Sequence, residues 1–291
     1  MARPLRIEFA GAIYHITSRG DRKEPIFEDD DDRQSLLEVI AQSLDRHEAQ
    51  MLAYCLMGNH YHFVLYTHQP NLSGLMRQIN GVYTQRYNRR HGKTGHLFEG
   101  RFKAILVDRD AYLFEVCRYV ELNPLRVGWV KDPVGWKWSS YRAHIGEAPA
   151  PLWLDTDGLL GYVLGEMPTT HRLRKLAQKR YQNLVAQAKG VELWSAGLRH
   201  QIYLGDEAFV ERMQSMAPPE RLGAIDVPKH QRRTPKSFTD WLADSEGRDE
   251  AIFNACNRGG MTLSQVAREL GLSVSRVSRI IRAVGEAKGK T

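Results

Sequence analysis

Cysteine is scarce in this 291-residue chain: there are three, Cys55, Cys117 and Cys256. None forms a C-x-x-C pair, so neither a zinc site nor a disulfide framework is expected, and each lies in an apolar-patterned segment that reads as reduced core or near-core. No apolar run approaches the roughly 18 residues a membrane span needs. The amino-terminal MARPLRIEFAGAIYHI carries charges where a signal peptide would have its apolar stretch, which points to a cytoplasmic protein with no membrane partner. The G-x-x-x-x-G-K-[ST] loop of nucleotide-driven enzymes is also missing, as are internal repeats and long low-complexity tracts. With 42% hydrophobic and 26% charged residues, the chain can bury a sizeable core in about two or three domains, which excludes disorder throughout.

What is in excess is positive charge, with 41 Lys and Arg against 34 Asp and Glu for a net +7. Such a balance favours an anionic partner. From Arg77 to Lys103, the cations Arg77, Arg86, Arg89, Arg90, Lys93, Arg101 and Lys103 stand against the single acid Glu99, interleaved with Tyr83, Tyr87, Phe98 and Phe102. Cations among aromatics suit a surface that tracks a nucleic-acid backbone and stacks its bases. A solvated basic helix with its aromatics in the core is the alternative.

The β-branched and aromatic run Ala12 to Thr17 ends at the turn cluster Ser18-Arg19-Gly20-Asp21 and reads as a first strand. The acids Glu28 to Asp32 precede Leu36, Leu37, Val39, Ile40 and Leu44, the pattern of a helix whose first turn carries carboxylates. Met51 to Met57 and Tyr61 to Tyr66 are strand-like runs broken at Gly58-Asn59. Leu72, Leu75, Met76, Ile79, Val82 and Tyr83 recur at helical spacing. Phe102 to Val107 is a further strand, and a helix through Tyr112, Phe114, Val116, Tyr119 and Leu122 is halted by Pro124. The order β-α-β-β-α-β-α, with helices covering one face of the sheet, predicts an α+β domain with a ferredoxin-like antiparallel sheet.

Gly146 to Pro151 is rich in proline and marks the end of a catalytic domain at 1–147, followed by a linker at 148–170 and a basic helical accessory region at 171–236. The accessory region ends in a Pro- and Arg-containing stretch from 218. Residues 237–291 complete an all-α carboxy-terminal region with a helix-turn-helix, in which Ala267, Gly271, Val277 and Ile280 occupy the small, turn and apolar positions. Ser273, Ser275, Arg276 and Arg279 then fall at the start and exposed face of a recognition helix, giving duplex DNA as a second partner. A helical module that contacts protein is the alternative.

His60-Tyr61-His62 sits at the start of a strand, where residues two apart share a face, so both imidazoles can meet one metal ion. By spacing alone a hydrogen-bonded or core-packed pair is the commoner outcome. Tyr119 and Asn123, four apart, share one face of the later helix. A tyrosine hydroxyl beside a metal-bound phosphodiester can attack phosphorus, with an amide oxygen one turn along as a third ligand. Tyr119 as an ordinary core residue is the plain alternative.

From about Arg6 to about His144 the chain resembles the single-tyrosine HUH transposases of the IS200-like superfamily, and within it the REP-associated tyrosine transposases. The resemblance rests on Gly11-Ala12-Ile13-Tyr14-His15-Ile16, on Met57-Gly58-Asn59-His60-Tyr61-His62-Phe63-Val64-Leu65, on Gly95 to Lys103, on Tyr119 to Pro124 and on Trp138-Ser139-Ser140-Tyr141, in the family's order. It implies that His60, His62 and Asn123 hold a divalent ion, Mg2+ or Mn2+, and that Tyr119 is the nucleophile. The implied reaction is cleavage and rejoining of single-stranded hairpin DNA through a 5′-phosphotyrosine. Arg19, Arg22, Arg86, Arg89, Arg90, Arg101 and Lys103 are then expected to line the DNA path near the active site. A DNA-binding regulator with an inactive nuclease domain, or an endonuclease that does not use the tyrosine, are the competing functions. Relatives act as monomers or as dimers, and the sequence does not choose between them.

Overall fold

A computed structural model of the protein describes residues 7–187, 193–216, 237–257, 261 and 263–288. The chain divides into two compact units, residues 1–231 and 232–291. The first is built on strands β1 (Ala12–Arg19), β2 (Ala49–Leu56), β3 (His60–Thr67) and β4 (Lys103–Val107), with helices α1 (Asp30–Arg46), α2 (Leu72–His91) and α3 (Arg109–Glu121) between and after them. These follow the β-α-β-β-α-β-α order read from the sequence. β3 and β4 both pair antiparallel with β1, and β2 pairs antiparallel with β3, so the histidine strand lies inside the sheet.

The local chemistry explains the helix ends. Asp29 caps α1 by accepting from the Asp32 N–H, and Asp30, Asp31 and Asp32 fill the first turn, where the helix dipole favours negative charge. α2 closes at Gly92, which takes a left-handed φ of 62°. Asp108 caps α3. Pro124 does not simply halt that helix: it sits in the first turn of a short helix, α4 (Asn123–Arg126), where a missing N–H costs nothing.

Helices cover both faces of the sheet, not one as expected. Tyr14, Ile16, Tyr61, Phe63 and Leu65 pack on α1 and α2. Their neighbours Ile13 and Val64 pack on the opposite side against Leu113, Val116, Cys117 and Val120 of α3. The physical reason is visible in β3, whose residues are buried at almost every position and therefore need an apolar layer on each side.

Much of that second layer comes from the stretch expected to be a linker and a separate accessory region. After the short helix α5 (Tyr141–His144), α6 (Thr156–Leu164) buries Leu159 and Leu160, and α7 (His171–Ala186) buries Ala177, Tyr181 and Val185 in the same core. Each such leucine contributes about 1.5–3 kcal/mol of apolar burial. A short helix α8 (Leu193–Gly197) and strands β5 (Leu198–Arg199) and β6 (Tyr203–Leu204) follow. β6 extends the sheet by pairing parallel with β4, and α9 (Glu207–Met216) packs Phe209 and Val210 into the first core. The first unit therefore continues well past the expected boundary at 147. The Pro- and Arg-containing stretch at 217–236 lies outside the described residues.

In the second unit, helices Phe238–Ala243, Arg248–Asn257, Leu263–Leu270 and Val274–Lys288 enclose a core of Phe238, Trp241, Ala251, Ile252, Ala255, Val266, Ala267 and Val277, with Ile280 packed against it. Gly271 turns the chain between the last two helices with φ 62°. Ser275, Arg276 and Arg279 are exposed on the last helix, and Ser273 Oγ accepts from the Arg276 N–H at its start. All three cysteines are free, with Cys55 and Cys117 buried. Among the described residues no helix is long and apolar enough to cross a membrane.

Candidate active site

Register assembles the site. Arg19 lies opposite His60, Thr17 opposite His62 and His15 opposite Val64, while Lys103 and Ile105 of β4 lie opposite Thr17 and His15. Directly opposed residues share a face, and so do residues two apart in one strand. Arg19, His60, His62, His15 and Lys103 therefore stand on one face of the sheet, the face that α3 covers. The His60 and His62 rings are 5.0 Å apart between centroids and nearly perpendicular. Tyr119 of α3 comes down on them, its ring centroid 6.0 Å from that of His62 and 6.0 Å from that of His15. Spacing alone favoured an ordinary core tyrosine; tertiary packing sets this one edge-on to the histidines.

Each histidine has a partner. His60 Nδ1 lies 2.7 Å from Asn59 Oδ1, and His62 Nδ1 lies 3.1 Å from His15 Nε2. Burial, assisted by the Arg19 charge, pushes His60 down to about 4. Burial pushes His15 down to about 3, and takes His62 well below the ordinary histidine value with the help of His15, His60, Arg19 and Arg126. All three rings are thus neutral at neutral pH, the form in which an imidazole offers a lone pair.

The donor set fits a divalent ion. Both amide hydrogens of Asn123 are taken by backbone carbonyls, Nδ2 donating to Tyr119 O (2.9 Å) and Val120 O (3.3 Å), which leaves Oδ1 as the group's free acceptor. Two neutral imidazoles and an amide oxygen suit a divalent cation with positions left open for phosphate and water. Among the described residues no three His, Cys, Asp or Glu side chains form a metal cluster, so a site here depends on the amide.

Several residues at the site were not picked out from the sequence. Arg126 places its guanidinium carbon 4.5 Å from the Tyr119 ring centroid. Trp194 of α8 meets Tyr119 edge to face at 5.0 Å and His15 at 5.0 Å. Glu121, two residues from Tyr119 and fully buried, accepts from Ser140 Oγ (2.5 Å), His144 Nδ1 (2.6 Å) and Tyr181 OH (2.6 Å), tying α3 to α5 and α7. The i, i+4 spacing of Tyr119 and Asn123 gives no hint of Arg126, and Trp194 comes from a segment whose sequence carries no motif.

The basic segment is divided by the fold. α2 packs on the face opposite the histidines, so Arg86, Arg89 and Arg90 are not beside the active site as expected. Arg90 is engaged by the α1 acids, with Asp29 and Asp32 at 2.7 Å and Asp31 at 3.1 Å. Arg86 pairs with Glu38 at 3.3 Å and Lys93 with Glu28 at 2.8 Å. The base-stacking expected of Tyr83, Tyr87, Phe98 and Phe102 is also absent, because all four are buried in the core. Arg22 is exposed in a turn after β1, and Arg101 is exposed just before β4. Arg101, Met76, Asn80, Leu97 and Phe102 border an open groove along α2.

The sheet thus carries paired histidines under the helix-borne Tyr119. Residues 9–123 match the family model described as transposase, IS200-like. Among solved structures, the chain is similar to a REP-associated tyrosine transposase bound to a REP hairpin, at 18% identity over 53% of this chain and 90% of that one, with a TM-score of 0.44. It is also similar to a putative transposase from Deinococcus radiodurans R1, at 14% identity over 41% of this chain and 95% of that one, with a TM-score of 0.30. No curated protein matches the chain.

Proposed function

We propose that the protein is a metal-dependent transposase that cleaves and rejoins single-stranded hairpin DNA, with Tyr119 as the nucleophile. The observation that carries this is the Tyr119 ring 6.0 Å from that of His62, whose own ring lies 5.0 Å from that of His60. His60, His62 and Asn123 would hold Mg2+ or Mn2+, which supplies Lewis-acid stabilisation of charge on phosphorus-bound oxygens. Arg19 and Lys103, on the same face, draw the phosphodiester backbone towards the histidines, and Arg126 adds positive charge beside the Tyr119 ring. The phenol of Tyr119 gives its proton to solvent water and its oxygen forms a bond to phosphorus. The bond from phosphorus to the 3′-oxygen breaks, and that oxygen leaves with the electron pair and is protonated from water. One phosphoester replaces another, so the bond energy is retained and attack by a 3′-hydroxyl reverses the step without a nucleotide cofactor. The helices after residue 237, with Ser275, Arg276 and Arg279 exposed, would add binding to duplex DNA.

The test is incubation of the full chain with labelled single-stranded hairpin DNA and Mg2+ or Mn2+, followed by denaturing electrophoresis. The expected result is a covalent protein–DNA species that disappears in Tyr119→Phe and with a chelator. Cleavage that survives Tyr119→Phe would show hydrolysis by water instead, and binding without cleavage would show a DNA-binding regulator.

A further inference from the structure

A histidine that ligates through one ring nitrogen must carry its proton on the other, so the partner of the second nitrogen selects the ligating tautomer. For His60 that partner is plain. Asn59 Nδ2 donates to the Lys23 carbonyl (2.9 Å), so its Oδ1 is the atom facing His60 Nδ1, and a carboxamide oxygen can only accept. His60 therefore bears its proton on Nδ1 and presents Nε2 as a lone pair.

For His62 the partner is another imidazole. The His15 and His62 rings are within 10° of parallel and their centroids are 5.3 Å apart, while His15 Nε2 and His62 Nδ1 are 3.1 Å apart. The centroid separation equals the N···N distance plus about one ring radius at each end. The rings thus lie edge to edge in nearly one plane, as an N–H···N hydrogen bond requires, and not face to face. This also excludes His15 as a third ligand, since its Nε2 is directed at His62. Two arrangements are possible, and they have opposite consequences: if His15 donates, His62 Nε2 carries a hydrogen and cannot ligate; if His62 donates, its Nε2 is free.

We propose that His15 is the positioning residue of the metal site, accepting the Nδ1–H of His62 at its own Nε2 and so holding His62 in the tautomer whose Nε2 is open to a divalent ion. This inference rests on the proposed metal site and names what orients it. His15 is buried to 4% exposure and is set by β1 pairing with both β3 and β4. Trp194 packs against its ring at 5.0 Å, 30° from parallel. The ring therefore has little freedom to turn its acceptor away. A neutral imidazole in this place orients the ligand without adding negative charge, unlike the carboxylate that often does so.

Two measurements on the full chain test this. Two-bond nitrogen–proton correlation spectra of the metal-free protein report ring tautomers directly: His62 should carry its proton on Nδ1, and a proton on Nε2 would overturn the proposal. Mn2+ binding without DNA is then followed by electron paramagnetic resonance in wild type, His62→Ala, His15→Leu and His15→Gln. His15→Leu should weaken Mn2+ affinity by about 10- to 100-fold, as losing an orienting partner does, and His15→Gln, which keeps an acceptor oxygen, should stay within about threefold of wild type. Binding lost in His62→Ala but kept in His15→Leu overturns this inference and leaves the metal site standing. Binding indifferent to His62→Ala overturns the metal site and this inference with it.

Discussion

Glu121 offers the sharpest test of how the helix that carries Tyr119 is held. Its carboxylate is fully buried, and its three partners, Ser140, His144 and Tyr181, come from the turn before α5, from α5 and from α7. Glu121→Ala would strand two buried polar groups, His144 Nδ1 and Tyr181 OH, while Ser140 Oγ keeps the Tyr54 backbone as partner. Each unsatisfied group costs about 1–3 kcal/mol, and truncating one side of a buried charged network costs about 3–5 kcal/mol, so the expected loss is about 4 kcal/mol. At about 2–4 °C per kcal/mol for a unit of this size, the melting temperature should fall by roughly 10 °C. Tyr181→Phe removes a single donor and should cost about 1 kcal/mol. Glu121→Gln keeps the shape and an acceptor, and should fall between the two. Urea unfolding followed by near-UV circular dichroism reads the series. If Glu121→Ala costs no more than Tyr181→Phe, the carboxylate is not the hub of this network and the reasoning fails.

Two further predictions concern charge. If DNA runs along the histidine face, Arg19→Ala and Lys103→Ala should each flatten the salt dependence of hairpin binding by about one unit of log–log slope, while Arg90→Ala leaves it unchanged; equal slopes for all three variants would place the DNA elsewhere. Arg90 should matter for acid stability instead. Its hydrogen bonds hold Asp29 at about 2, below the ordinary 3.8. A depressed carboxylate contributes its full stabilisation above the ordinary value and loses it as pH falls through the lowered one, so the gap in urea midpoint between wild type and Arg90→Ala should close between about pH 4 and about pH 2. A gap of constant width across that window would show that the pair contributes nothing.

Much of the element order was legible because periodicity reports burial locally. The Leu36, Ile40 and Leu44 spacing and the acids before it placed α1, and the continuous apolar and aromatic run from Tyr61 to Tyr66 placed β3. Other features depended on context that periodicity does not carry. Leu159 and Leu160 looked like part of a linker because Gly146 to Pro151 reads as a boundary, yet that stretch turns the chain back to cover the second face of the sheet. Tyr83 and Tyr87 looked like a stacking surface because cations adjoin them, but on α2 they point into the core while the cations point to the α1 acids. The sequence showed the excess of charge in this segment; the acids that neutralise part of it lie about 60 positions earlier.

By itself, the sequence determined which chemistry is available. Two histidines two apart in a strand share a face whatever the rest of the chain does, and Tyr119 and Asn123, four apart in sequence, meet one turn apart where the helix ends. Which face of the sheet receives the tyrosine, and which cations stand beside it, was decided only by the tertiary structure. Strand register is a long-range pairing, and it alone put Arg19 opposite His60, Lys103 opposite Thr17 and His15 in hydrogen-bond reach of His62. A residue 47 positions away selects the tautomer on which the proposed site depends, and no local pattern could have named it.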